Sequence, residues 1–526
     1  MRAVTDPPPI SDSAQPAEGI EPQPQALPRR FKRNVITTYL STAVSAAQLL
    51  LITPLLVRGL GADRYGVWAL IGSIGLFANL FDLGLGAATI RFVAQSEGVG
   101  DRAATVRTIS ATFWMLIAFG GAVFAAGAAL SPAFPKLFST HGQDAAASLL
   151  LLIIAVDVGL SIVGGTFQGV LGGLQRYSFL NIVLIAVVAG QGLAFGITIW
   201  LGGKLVALGL VVLGIGILEF TARAIATRRY VPETTFSPRV VERTEVRRLL
   251  GMSFWIGSST FASAIRFRID TIVVGALLGV RAAGIYAVGQ FLSIAADRFI
   301  QPVLTGFFPH SAELAGRNER ANLRAAMLTG SRISVGVGAP ICLTIILLAE
   351  PALHAWVGAG FSDAKLVVVY LVSALLLGTL SRAGLLMLSG TGDYRLVTVL
   401  VWSEAVLNIG LSIILGKAIG LTGVALATLI STAIVSTTIG VPLICRSFGV
   451  HLGRFLIPIA RAHIPAVIGA VLVSRLIAPT RTEEITGVVG AGLGIGITYL
   501  IIFALTGLTG DERKRLWQRV RTLAPA

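Results

Sequence analysis

Apolar positions in this 526-residue chain come in long runs separated by short polar breaks. The runs lie at roughly 34–57, 66–93, 107–131, 146–172, 178–202, 205–226, 249–278, 284–309, 324–349, 364–389, 396–416, 420–444, 458–478 and 487–508. About 20 apolar residues in a helix cross the hydrocarbon core of a bilayer. The pattern therefore predicts an all-α integral membrane protein with about fourteen transmembrane helices. Very short turns alternate with longer basic connections between them.

The pattern also repeats. Leu60–Leu70 reads LGADRYGVWAL and Leu278–Val288 reads LGVRAAGIYAV, an offset of 218 residues. Gly61/Gly279, Gly66/Gly284 and Ala69/Ala287 coincide, and Trp68 is matched by Tyr286. The same offset aligns Gly98 with Gly316, Arg102 with Arg320 and Ala103 with Ala321. Duplicated membrane hairpins are a common construction of secondary transporters, with the site between the repeats. The expected organisation is a disordered tail at 1–28, an N-lobe at 29–226 and a cytoplasmic linker at 227–248. A C-lobe at 249–444, two extra helices at 445–510 and a basic tail at 511–526 follow. The fold is thus two six-helix lobes plus two C-terminal helices.

Composition agrees with a membrane protein. Charged residues make up 13% of the chain, against about 25% in soluble domains, and mean hydropathy is +0.81. The net charge of +16 does not point to nucleic acid, because the charges sit in loops between spans. Lys and Arg fall 27 on one side of the predicted membrane and nine on the other. That bias expects both termini in the cytoplasm and an even number of spans. Residues 1–28 are rich in Pro, Ser, Gln and acids, with no apolar run. They should be disordered and carry no cleavable signal, leaving the first span to direct insertion. The tail after 511 is basic and contains Leu516, Trp517 and Val520, either a stop-transfer flank or a short surface helix. Cys342 and Cys445 lie inside apolar runs and read as packing residues.

Ionisable groups inside spans are costly and mark cavities or pairs. Span 7 contains IRFRIDTIVVG, where Arg266 and Asp270 share a helix face and Arg268 points nearly opposite. Span 8 contains Asp297 and Arg298, and span 2 contains Asp82 and Arg91. Arg266 and Asp297 fall at similar depth on either side of the turn near Arg281. One reading is a charged cavity in which Arg266, Arg268, Arg298 and Arg91 hold an anionic group, with Asp270, Asp297 and Asp82 as coupling or cavity acids. The other is interhelical pairing, such as Arg266 with Asp297. Arg382 and Glu404 are equally far from the turn at 390–395 and read as a structural pair across that hairpin. Asp157 and Glu219 are single acids in spans 4 and 6. Gly165, Gly169 and Gly173 form a close-packing face. The chain has no phosphate-binding GxxxxGK[ST] loop. Its five histidines show no metal spacing, so no cofactor or metal is expected.

The run PLLVRGLGADRYGVWALIGSIGLFANLFDLGLGAATIRFVAQ (54–95) resembles the start of polysaccharide-transporter flippases. So does RIDTIVVGALLGVRAAGIYAVGQFL (268–292) in the second half. These belong to the multidrug/oligosaccharidyl-lipid/polysaccharide exporter superfamily, which includes O-antigen and exopolysaccharide flippases. The resemblance implies a two-lobed fold, mostly of fourteen spans, around a cavity that opens alternately to either leaflet. It further implies no enzyme but a carrier of polyprenyl-pyrophosphate-linked oligosaccharide, driven by an ion gradient or the membrane potential. The cationic cavity would hold the pyrophosphate, and the last two spans would help form a groove for the lipid. Partners would be the lipid-linked oligosaccharide, membrane lipids and pathway enzymes such as a polymerase and glycosyltransferases, with the protein itself a monomer. Val35–Val57 carries no arginine, unlike the first span of lipid II flippases. The alternative is a cation-coupled multidrug exporter of the related multidrug and toxin extrusion family, which typically has twelve spans and a carboxylate-dominated cavity.

Overall fold

In a bilayer each backbone N–H and C=O must find its partner within its own segment, so apolar runs of this length become helices. The computed structural model describes residues 29–507 except Leu83, His141, Thr235, Arg239, Val240, Thr305, Gly306 and 478–483. The side chains of 29–36, Tyr39, Ala46, Leu49, 251–268, Pro309, Ala359 and Tyr394 are also outside the description. The tails expected at 1–28 and 511–526 lie outside the described residues.

The described residues are helical nearly throughout. In the first half α1 (Arg29–Ala78), α2 (Leu85–Gly98), α3 (Arg102–Leu130) and the one-turn α4 (Phe134–Leu137) lead to α5 (Asp144–Gly173), α6 (Tyr177–Trp200) and α7 (Leu205–Tyr230). The second half runs through α8 (Arg243–Leu278), α9 (Val280–Leu304), α10 (Phe307–Gly316), α11 (Arg320–Leu347) and the short α12 (Ala349–Val357). It continues with α13 (Ala364–Gly390), α14 (Tyr394–Ile419), α15 (Leu421–Ser431) and α16 (Val441–Ser447). The last hairpin is α17 (Leu452–Ile477) and α18 (Ile485–Thr506). Among the described residues, 11 stretches are long and apolar enough to cross a membrane. Three differences separate this from the fourteen expected. Leu40–Gly98 holds the first two expected runs, bent at Gly61; in α8 the side chains of 251–268 are outside the description, which leaves the short apolar Ile269–Leu278; and α9, with Arg281, Asp297 and Arg298, does not qualify.

Two runs depart from the plain α-helices expected. The second breaks at the tight turn Asn79–Asp82, and Gly84 stands at φ 77° before α2. The twelfth is continuous but contains a π-helical stretch, Thr432–Gly440, between α15 and α16. Extra turns of this kind often sit at functional sites because they re-aim side chains.

The repeat is visible in the backbone. Gly61 (φ 76°, ψ 167°) and Gly279 (φ 86°, ψ 174°) adopt the same left-handed conformation, which costs a residue with a Cβ and suits glycine. Gly202 and Gly420 both have positive φ at the same offset, as do Gly100 and Asn318. The turns at the last pair share their bonds: Asp101 N–H donates to Ser96 C=O at 2.9 Å, and Glu319 N–H to Leu314 C=O at 3.0 Å.

Within the first half α3, α5 and α7 pack side by side and α1 lies on α6. Gly169 and Gly173 of α5 sit against Thr89 and Val93 of α2, so the small-residue face does bring helices close. In the second half α13 packs on α11 and α9, while α14 packs on α15 and α8. The α17–α18 hairpin lies against α11. The halves meet through α1 with α9 and α8, and α2 with α8. At that seam Gly66 and Gly284, equivalent positions of the two copies, touch directly. A Cβ on Gly66 would fall 1.9 Å from the Val280 carbonyl oxygen, and one on Gly284 2.8 Å from the Gly66 Cα.

Candidate functional site

The second half holds an open cavity of about 300 Å³ with polar groups in its wall, between α8, α9, α13, α14 and the α15–π segment. Its wall includes Asp270, Gln290, Ser293, Gln301, Ser381, Arg382, Ser389, Thr428, Thr432 and Ser436 among leucines, valines and alanines. Such a lining can orient a charged or polar ligand inside an otherwise apolar bundle.

Asp270 is buried, 1% exposed, on α8. A lone carboxylate there would be costly, and three hydroxyls from three other helices offset that cost. Thr428 donates to it at 2.7 Å, Tyr286 at 2.9 Å and Ser412 at 3.3 Å. Asn408 Nδ2 donates to Thr428 Oγ1 at 2.9 Å, while the buried Asn408 Oδ1 has no hydrogen-bond partner. One oxygen acceptor therefore remains open beside a carboxylate.

One and two turns along α15 and its π-helical continuation, Thr432 and Ser436 donate to Glu404 at 2.7 and 2.5 Å. Glu404 was expected to pair with Arg382. Arg382 instead pairs across α13 and α9 with Asp297 at 2.5 Å, both about one-fifth exposed. The correction has a physical cause. Equal spacing from a turn gives equal depth but not facing side chains, and α9 packs on α13 while the π-helical stretch presents its hydroxyls to Glu404. Asp297, expected to have Arg266 as a possible partner, is thereby accounted for.

The other expected residues scatter. Asp82 accepts the Gly84 N–H at 2.9 Å and caps its own helix break rather than joining this cavity. Arg91 is exposed on α2, and Arg298 is half-buried and does not line the cavity. Arg266 and Arg268 lie on α8 before Asp270, and their side chains are outside the described residues. In the first half Glu219 pairs with Arg223 one turn along α7, and Arg223 reaches Gln168 at 3.3 Å. No cluster of metal ligands occurs among the described residues.

Sequence reasoning missed the hydroxyl and amide partners. Their signal was the spacing Glu404–Asn408–Ser412 on α14 and Thr428–Thr432–Ser436 on the facing segment, polar stripes at every fourth position of apolar runs.

A second cavity, about 250 Å³, lies in the first half between α1, α3 and α5. It is lined by apolar residues such as Ile74, Phe81, Phe119, Val123, Leu151 and Ile154.

Residues 31–315 match the family described as polysaccharide biosynthesis protein. That is more than half of the chain. The chain belongs to the polysaccharide biosynthesis protein family. No curated protein matches it. Solved structures show where this family member's fold belongs. The lipid II flippase MurJ in an inward closed conformation superposes with a TM-score of 0.66 at 15% identity, covering 90% of this chain and 98% of MurJ. An inward-facing multidrug resistance MATE family transporter of the MOP superfamily gives 0.65 at 15% identity, covering 80% and 97%. An outward-facing MATE structure gives 0.57 at 16% identity, covering 80% and 95%. The polysaccharide biosynthesis family member is therefore a multi-pass helical membrane protein with the fold of MOP-type transporters.

Proposed function

We propose that this protein is a flippase that moves a polyprenyl-pyrophosphate-linked oligosaccharide across the cytoplasmic membrane by alternating access. Two lobes, 29–226 and 249–444, rock against each other at the glycine seam and are joined by the linker 227–248. Residues 445–510 add a lipid-facing hairpin, and both termini lie in the cytoplasm. The observation that carries this reading is an arginine-bearing cavity with polar groups in its wall, in a member of the polysaccharide biosynthesis family. The greater coverage of this chain by the MurJ fold than by the MATE fold supports it.

Arg382 is the described cation in the cavity wall, and it pairs with Asp297. A pyrophosphate offers stronger bidentate acceptors than one carboxylate and would compete for the guanidinium. Arg266 and Arg268 remain candidates for the same task from their place on α8. Asp270, with the open Asn408 Oδ1 beside it, is the candidate coupling site for a cation or proton. The glycan's polymerase and glycosyltransferases are the expected pathway partners, and the protein works as a monomer without a cofactor.

The second reading is a cation-coupled multidrug exporter, favoured by Asp270 in the cavity wall and by Asp297 and Glu404, which are bonded to the wall residues Arg382, Thr432 and Ser436. Proteoliposomes holding the purified protein separate the two. Translocation of a short polyprenyl-pyrophosphate-linked sugar, with no extrusion of a cationic dye, is expected. Dye extrusion without lipid translocation would replace the flippase reading by the exporter.

A further inference from the structure

The two halves are joined on the face that carries α12, the outer face on the charge bias, by hydrogen bonds to carbonyls that their own helices cannot satisfy. Pro54 sits inside α1 and has no N–H. The carbonyl of Leu50, one turn earlier, therefore lacks its intrahelical donor. The indole N–H of Trp356, in the last turn of α12, donates to that carbonyl at 2.8 Å. The Trp356 carbonyl is itself at a helix C-terminus, where the last carbonyls are left over. Arg58, one turn beyond Pro54, reaches it with a long contact of 3.5 Å. The indole is buried and its ring packs at 5.1 Å on Phe291 of α9.

The repeat makes this contact informative. The position equivalent to Pro54 is Ile272, which has an N–H to give to its own helix. The position equivalent to Trp356 is Phe138, which has no side-chain donor. Neither half could make the reciprocal bond. One copy supplies a freed acceptor and the other supplies the donor, so the contact belongs to the difference between copies and not to the shared scaffold.

We propose that the Trp356 indole and the Pro54-freed Leu50 carbonyl form a latch that holds the outer face shut, and that this bond must break each time the protein opens outward. The Gly66–Gly284 contact lies on the same seam, five residues past the outer turns at Gly61 and Gly279, and separates with the latch. Being an apolar ring with one polar atom, Trp356 can leave the seam without stranding a charge. The Leu50 carbonyl then meets water on the opened face.

The inference rests on alternating access, and its test separates the two. Spin labels at Lys204→Cys and Lys417→Cys, exposed positions on the outer turns of the two halves, in a chain lacking Cys342 and Cys445, report their separation. Trp356→Phe keeps the ring and removes only the N–H. Loss of one net hydrogen bond should raise the ratio of long to short distances by roughly fivefold. Pro54→Ala restores an N–H that competes for the Leu50 carbonyl and should shift the ratio the same way. Adding Trp356→Phe to Pro54→Ala should then change little. An unchanged distribution in Trp356→Phe, or a full additional shift in the double variant, overturns the latch. A single distance in every variant, at all pH values and with or without a polyprenyl pyrophosphate, would instead overturn alternating access.

Discussion

The polar-lined cavity of the second half and the apolar one of the first occupy halves with the same backbone plan and differ in chemistry. Positive-φ residues recur at Gly61/Gly279, Gly100/Asn318 and Gly202/Gly420. The polar residues of the second half do not recur. At the offset of 218, Asp270, Glu404, Asn408, Ser412, Thr428, Thr432 and Ser436 correspond to Ile52, Ala186, Gly190, Ala194, Leu210, Gly214 and Leu218. Tyr286, which donates to Asp270, corresponds to Trp68, whose ring instead meets Phe195 edge-on at 5.6 Å. The turns are shared by both halves, and the buried polar network around Asp270 and Glu404 belongs to the second. On the flippase reading, conformational change draws on both copies of the scaffold and ligand chemistry on one.

The largest expected effect comes from removing the centre of that network. Asp270→Leu takes the shared acceptor from Thr428, Tyr286 and Ser412 and should reduce lipid translocation in proteoliposomes at least about a hundredfold. Asp270→Asn keeps the shape and should restore folding but not transport. Introducing Ile52→Asp at the equivalent position of the first half should not compensate for either. Full activity in Asp270→Leu would show that the polar half is structural only.

Next is the seam shared by both halves. Gly66→Ala places a Cβ where the Val280 carbonyl oxygen sits, so the halves must separate or shift. Overpacking of this kind costs about 1–3 kcal/mol, and thermal unfolding in detergent should register it. Gly72→Ala, with open space around the position, is the control and should leave the midpoint unchanged.

The Arg382–Asp297 pair is only partly shielded. Arg382→Gln should therefore cost about 1–2 kcal/mol, below the value for a fully buried pair. Asp297→Asn in the same chain should recover part of it, measured as a double-mutant cycle.

Much of this was legible in the chain. Apolar runs gave the helices because a bilayer leaves the backbone no other partner. The glycine repeat gave the seam because those positions need positive φ or direct contact. What was not legible was which charged side chains face one another. Arg382 and Glu404 share a depth, yet the rotation of α13 against α9 sends the guanidinium to Asp297. The Glu404 partners depend on the π-helical stretch at Thr432–Gly440, which no apolar periodicity announces. Asp82 looked like a buried charge and is spent on its own turn. The Trp356–Leu50 bond joins residues 306 apart and could be found only in three dimensions.

The smallest expected effect lies at the exposed start of α13, where Lys365 donates to Glu350 of the short α12 at 2.6 Å. The lysine hydrogen bond and charge hold the Glu350 carboxyl below its usual range. Any stabilisation is present above the ordinary glutamate range and is lost as pH falls through the depressed value. Lys365→Ala should shift the unfolding midpoint by no more than about a degree at neutral pH, and by nothing in strong acid.

The most direct measurement is the affinity of the purified protein in nanodiscs for a short-chain polyprenyl pyrophosphate. Wild type should bind it, Arg382→Gln should weaken it at least about tenfold, and Phe119→Ala in the apolar cavity should leave it unchanged. Unchanged affinity in Arg382→Gln together with loss in Phe119→Ala would contradict the assignment of the head group to the polar half.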